Sequence, residues 1–320
     1  MLSGALFANI ASAQKTPEKW AVKYDDKTTL FTDAIYFSQR TAYLISADGR
    51  GWDIWDTVNY ARPFPLPVIN SRREVISTRL TGLAFNTDTS GFICGENGVL
   101  LQTKDFGRNW KQRYFPDMDS MSFYGVAFAS PLKGALVGVR AGMNRRMQGV
   151  ILRTTDGGDT WKRMDSISGI GFSHITAEHF SGALVIVGLG STLSSQDQGA
   201  TWKTTLTPDS VLLRSAGILG ESAMAVGASG KVLVSSDFGG TWKTGTSPTK
   251  SDLLGVEART DLEWYVCGVN GEVWTTADFG ETWKDWRAPT KAALTGMSLQ
   301  GNLLFAWGDQ GKILVRDISK

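Results

Sequence analysis

Apolar and polar residues alternate along this chain in short runs, and no long stretch repeats at helical spacing. Leu80–Phe85 (LTGLAF), Phe123–Phe128 (FYGVAF) and Leu294–Leu299 (LTGMSL) each alternate over six residues, the pattern of a half-buried strand. A second apolar run follows each and closes on Val-Gly or Cys-Gly, as in "ALVGV", "VIVGL", "MAVGA" and "WYVCG". A third run follows the next glycine ("GKVLVSS"), and a fourth begins at a tryptophan. Four short strands per unit are therefore expected, all in one meander.

A recurring motif joins the third and fourth runs: "TKDFGRNW", "TTDGGDTW", "SQDQGATW", "SSDFGGTW" and "TADFGETW". These place Asp105 with Trp110, Asp156 with Trp161, Asp197 with Trp202, Asp237 with Trp242 and Asp278 with Trp283. Successive tryptophans lie 51, 41, 40 and 41 residues apart, and about 40 residues is the length of one four-stranded propeller blade. The motif suits a hairpin. Its hydroxyl and carboxylate accept backbone N–H bonds, its glycine takes positive φ, and its tryptophan buries a large ring against the neighbouring sheet. Five copies have a structural role, because five equivalent active sites in one chain make no chemical sense.

Two further units emerge in this frame. Phe31 opens one, in which "SADGRGWDIWD" reads as a decayed copy of the motif. The other opens at Leu294 and ends at Lys320 before a fourth strand. The missing strand is expected near Trp20, which precedes Phe31 by eleven residues as Trp283 precedes Leu294. The fold class is all-β: a seven-bladed propeller with an N-terminal strand completing the last blade, which removes the open edge.

Composition narrows the picture further. The chain has 36 Gly and 12 Trp in 320 residues, which favours a β-rich domain over a helical one. A net charge of +2 is too mild to imply nucleic acid. Residues 1–13 form an apolar run ending in Ala11-Ser12-Ala13, a small-x-small cleavage pattern, so export is expected, with residues 14–320 forming the propeller. No later apolar run is long enough to span a membrane. Cys94 and Cys267 occupy the place of Val137, Val187 and Val226, which makes them core residues and not a disulfide.

The motif is the Asp-box, or BNR repeat, found in sialidases, sortilin-type receptors and some glucanases. Over residues 18–320, with the rhythm of "GASGKVLVSSDFGGTW" and the terminal closure, the chain resembles the photosystem II stability and assembly factors and their bacterial relatives. That resemblance implies a non-enzymatic, extracytoplasmic binding or assembly protein whose basic patch meets a protein partner, such as an envelope or membrane complex. It implies no cofactor. The lipobox cysteine of many cyanobacterial members is absent.

Candidate sites follow from departures from the period: residues 53–79, 112–122 and 140–149, all expected on the face opposite the Asp-boxes. They carry Arg62, Arg72, Arg73, Arg79, Arg140, Arg145 and Arg146 with little acid, and arginine suits carboxylate or phosphate recognition. "RPFPLP" reads as a stiff connector. The competing reading is a secreted glycoside hydrolase. Ala84, Ala127, Glu178, Gly217, Glu257 and Ser298 are expected to face the channel, with Asp33 nearby, and a carboxylate pair is what acid/base glycoside cleavage requires. A glycan is then the ligand. Sialidase chemistry lacks its arginine cluster, since Arg214 has the outward parity of its strand. His174 and His179 are placed as packing residues, and no metal site is expected. The closed ring predicts a monomer.

Overall fold

The computed structural model describes residues 19–37, 41–55, 61–68, 77–115, 118–141, 147–164, 167–168, 171–207 and 209–319. These form seven antiparallel sheets. Blade 1 comprises Phe31–Tyr36, Thr41–Ser46, Arg50–Trp55 and Ala61–Pro65. Blades 2 to 6 open with inner strands Leu80–Phe85, Met121–Phe128, Phe172–Ala177, Leu213–Leu219 and Leu253–Ala258, each followed outward by three more strands, and in blade 3 a fifth short strand, Ile167–Ser168, also pairs with the third. In blade 7 the order from the centre is Leu294–Gln300, Leu303–Gly308, Ile313–Asp317 and then Ala21–Tyr24. The N-terminal strand therefore closes the ring, with Ala21 opposite Val315 and Val22 opposite Leu314.

Each blade buries its faces against its neighbours. Seven apolar clusters lie one at each blade boundary, such as Tyr43 with Ile93 and Trp110 between blades 1 and 2. Both cysteines are buried and free within these clusters, so they replace small core hydrophobes.

The Asp-box explains its own recurrence. In the hairpin after Val232–Ser235, Ser235 Oγ donates to Asp237 Oδ1 at 2.7 Å and accepts from Gly239 N at 3.0 Å. Asp237 Oδ1 then accepts from Thr241 N at 2.8 Å, and Oδ2 from Thr241 Oγ1 at 2.9 Å. The same net recurs around Asp105, Asp156, Asp197 and Asp278. Gly239 sits at φ 78°, where only glycine is unstrained. The tryptophans reach the preceding blade: Trp110 Nε1 donates to Tyr43 OH at 2.6 Å, and Trp161 lies edge-on to Phe92. Phe106, Gly157, Phe238 and Phe279 each donate their backbone N–H to the turn joining the first two strands of the blade. The hairpin thus ties the outer strands to the inner ones.

Two expectations about blade 1 are corrected. "SADGRGW" forms the turn between its second and third strands, with Ser46 bonded to Asp48. It is therefore on the face opposite the Asp-boxes, and residues 56–60, between the third and fourth strands, lie outside the described residues. The prolines of "RPFP" sit within the fourth strand, where an outer edge tolerates the missing donor.

Candidate functional site

All seven inner strands share an irregularity that sets the site. Just after a buried Leu or Phe near the start of each strand, the register slips by one residue, at Phe31/Asp33, Leu80/Gly82, Phe123/Gly125, Phe172/His174, Leu213/Ser215, Leu253/Gly255 and Leu294/Gly296. A bulge re-aims the unpaired side chain. The bulged residues Thr32, Thr81, Tyr124, Ser173, Arg214 and Thr295 accordingly line the channel mouth. Three of them stitch blade to blade. Thr81 Oγ1 donates to Phe123 O at 2.7 Å, Ser173 Oγ to Leu213 O at 2.5 Å, and Thr295 Oγ1 to Phe31 O at 2.7 Å.

Above this ring, on the face of the blade links, opens a cleft of about 730 Å³. Its lining is largely apolar and includes Tyr124, Val139, Leu189 and Leu212, together with the charged Arg79, Glu96 and Arg214. Leu189 is half exposed. Arg214 pairs with Asp252 at 3.4 Å, both partly exposed. Arg79 is exposed and has no ion pair among the described residues. Burial raises the Tyr124 phenol, helped by Glu96 and opposed by Arg79. The cleft can thus take an apolar segment with an acceptor or anionic group at its edge.

The predicted arginines are not all brought together. Arg79 borders the cleft, and Arg140 follows the cleft residue Val139 and turns Nε to Gln148 Oε1 at 3.0 Å. Arg62 is on the outer edge of blade 1 in register with Asp53, away from that face, because residues 61–65 are a strand. Arg72, Arg73, Arg145 and Arg146 lie outside the described residues, as does the segment 1–13. Arg214 is the residue that alternation misplaced. The bulge turns it to the mouth, and the glycine one position after the bulged residue in four other blades (Gly82, Gly125, Gly255, Gly296) is the signal that could have revealed it.

Below the mouth the channel holds about 580 Å³ and is lined by Asp33, His174, Glu257, Ser298 and small residues including Ala84, Ala127 and Gly217. Glu178 is absent from it. Thr176, paired with Val185 as Glu257 is with Tyr265, takes the equivalent place. Glu178 follows the strand and caps a turn, accepting from Ser181 N and Oγ, each at 2.6 Å. Burial opposes its charge, but these bonds hold its carboxyl below the usual range. Asp33 accepts from Ala34 N and Leu83 N, both at 2.8 Å, and Glu257 from Leu299 N at 3.0 Å. Burial outweighs those bonds and pushes both carboxyls up to about 7. Both are engaged with the wall. Among the described residues no group of three or more His, Cys, Asp or Glu could hold a metal ion, and no helix is long and apolar enough to cross a membrane.

Fold and cleft together define a seven-bladed Asp-box propeller with an open cleft over its channel mouth. The family model for photosystem II assembly factor YCF48 matches residues 70–208. The photosystem II assembly lipoprotein Ycf48 of Synechococcus sp. (strain CC9902) is 25% identical over 130 residues, 39% of this chain and 36% of that protein. The chloroplastic photosystem II stability/assembly factor HCF136 of Arabidopsis thaliana is 28% identical over 155 residues, 45% and 36% respectively. The match thus spans about a third of the length of these curated relatives. The solved structure of YCF48 bound to D1 peptide superposes with a TM-score of 0.72, at 19% identity, over 96% of this chain and 97% of that one. The chain resembles the photosystem II assembly-factor family, and the shared fold runs through nearly its full length.

Proposed function

We propose that this protein is a non-enzymatic, extracytoplasmic assembly scaffold that holds a segment of a protein partner, in an envelope or membrane complex, in the cleft over its channel mouth. The observation that carries this reading is the cleft itself: a largely apolar lining open to solvent, with Arg79, which has no ion pair among the described residues, and Arg214, paired with the partly exposed Asp252, also lining it. Buried apolar anchors with charge at the rim are what protein recognition requires. The relatives point the same way, since the matched proteins are named as assembly factors and one of the same fold holds a peptide. Arg140 extends the basic rim, with Arg72, Arg73, Arg145 and Arg146 belonging to the same surface in this reading. Residues 1–13 serve export, and residues 14–320 act as one propeller.

The glycosidase alternative loses its pair. Glu178 is committed to a turn, and Asp33 and Glu257 each take backbone donors from a neighbouring blade. Site-directed photocrosslinking in host envelope extract tests the proposal: a crosslinker at Tyr124 should capture a discrete partner, and one at Leu262 on the Asp-box face should not. Arg79→Glu with Arg214→Glu should weaken capture, and added salt should do the same. Equal capture from both faces would refute the cleft assignment.

A further inference from the structure

Among the described residues, six of the seven outer blade edges are blunted against further strand pairing. The outer strand of blade 1 carries Pro63 and Pro65, which lack the donor an added strand would need. The closing strand of blade 7 is bulged between Val22 and Tyr24. Lys111–Gln112, Lys162–Arg163, Lys243–Thr244 and Lys284–Asp285, the outer strands of blades 2, 3, 5 and 6, are each two residues long. Past them the main chain is already engaged. Ile167–Ser168 takes up the edge of blade 3, Thr246 N of blade 5 donates across to Gly280 O at 3.3 Å, and Arg287 N of blade 6 donates to Asp285 Oδ1 at 2.7 Å.

Blade 4 differs. Its outer strand, Lys203–Leu206, pairs along its whole length with Ser191–Ser194, without bulge or proline. Thr207 N donates to Gly190 O at 2.9 Å just beyond it. Antiparallel bonding alternates, so Lys203 and Thr205 turn their main-chain groups inward, and Thr204 and Leu206 turn theirs outward. Those outward groups have no partner among the described residues. Leu206 is also 75% exposed, beside an edge that can be extended. The upper end of this edge adjoins the cleft. Leu206 lies opposite Ser191, which follows the Leu189–Gly190 turn; Gly190 N donates to Val211 O at 3.1 Å, and Leu189 bridges to Leu212. Leu189 and Leu212 both line the cleft, so apolar surface runs from the cleft to Leu206.

We propose that the outer edge of blade 4 is a strand-addition site: the partner segment held in the cleft continues over the Leu189–Gly190 turn and pairs with Lys203–Leu206 as an added strand. Its main chain bonds the N–H and C=O groups of Thr204 and Leu206, and an apolar side chain covers Leu206. The identity of the occupant rests on the cleft reading above. A second copy of this chain does not suit the edge, because two rings meeting rim to rim over four residues bury far less than the roughly 1,200 Å² of a stable interface. An extended segment needs no such area once the cleft anchors it. Main-chain bonds then add affinity with little demand on sequence, and the cleft supplies the selectivity.

Photocrosslinkers placed separately at Leu206 and Tyr124, with the crosslinked peptides sequenced by mass spectrometry, test this in host envelope extract. Both should reach neighbouring stretches of one partner, and a crosslinker at Lys243 on the blunted edge of blade 5 should not. Thr204→Pro removes one outward donor, as Pro63 and Pro65 do in blade 1, and should cut the Leu206 yield about fivefold while the Tyr124 yield falls less. Should that variant not fold, a synthetic peptide of the stretch mapped at Leu206 replaces it: the peptide should slow hydrogen exchange of the Leu206 amide, and its backbone N-methylated form should not. Capture at Tyr124 without Leu206, or a Leu206 yield unchanged by Thr204→Pro, would overturn the added strand and leave the cleft assignment standing. Capture at Leu206 alone, or at neither position, would overturn both.

Discussion

Replacing Asp237 with alanine removes the acceptor around which its hairpin is built. Three bonds are lost at once, from Thr241 N at 2.8 Å, Thr241 Oγ1 at 2.9 Å and Ser235 Oγ at 2.7 Å. Bonds to a charged acceptor are each worth about 1.5–3 kcal/mol when buried. Asp237 is half-buried and the three are not independent, so water and the remaining Ser235–Gly239 bond recover much of the sum. A net loss of about 2–3 kcal/mol is expected. At roughly 2 cal/mol/K per residue, a domain of about 300 residues has an unfolding entropy near 0.6 kcal/mol/K, so the expected fall in Tm is about 3–5 °C. Differential scanning calorimetry beside Lys250→Ala, an exposed substitution, is the assay. A shift within 1 °C of wild type would mean that the Asp-box carboxylate is not what holds the hairpin.

Further outcomes follow from the same contacts. Trp110→Phe keeps most of the ring packing but loses the donor to Tyr43 OH, and should cost about 1–2 kcal/mol, measured by urea denaturation. Gly255→Ala forces a Cβ within 2.9 Å of Cys267 Sγ and 3.0 Å of Gly296 Cα, and should destabilise by more than about 1 kcal/mol although alanine ordinarily favours order. In acid the Asp-boxes act together. Burial disfavours their charge in Asp156 and Asp197, yet hydrogen bonds hold both down to about 2, and bonds from Thr276 and Thr282 do the same for Asp278. Their depressed values place the loss of stability between about pH 4 and pH 2, which an acid titration followed by near-UV circular dichroism would show.

The repeat was legible because each residue of the Asp-box has a backbone-level task that few others perform. Ser or Thr, Asp and Gly cannot be exchanged freely in a turn that needs two acceptors and a positive φ, so the pattern survives across copies. The N-terminal closure was legible from the Trp20 and Trp283 spacing alone. Side-chain direction was less so. Simple alternation assigned Arg214 outward, and the bulge after Leu213 reverses that. Counting from a misplaced strand start sent Glu178 to the channel in place of Thr176. In blade 1 a Ser-x-Asp-Gly turn between the middle strands imitates the start of an Asp-box, since the same short-range hydroxyl–carboxylate bond serves both turns. Edge prolines disguised its outer strand as a linker. The cleft itself was out of reach, because it is made of residues from separate blades whose adjacency depends on ring closure.

The most direct test of the account is the crosslinking of a partner from envelope extract at Tyr124, compared in wild type and Arg79→Glu/Arg214→Glu at low and high salt. A discrete protein should crosslink through the cleft, diminished by charge reversal and by salt, with thermal stability unchanged. Capture of that protein undiminished in the charge-reversed variant, or its appearance only from the Asp-box face, would contradict it.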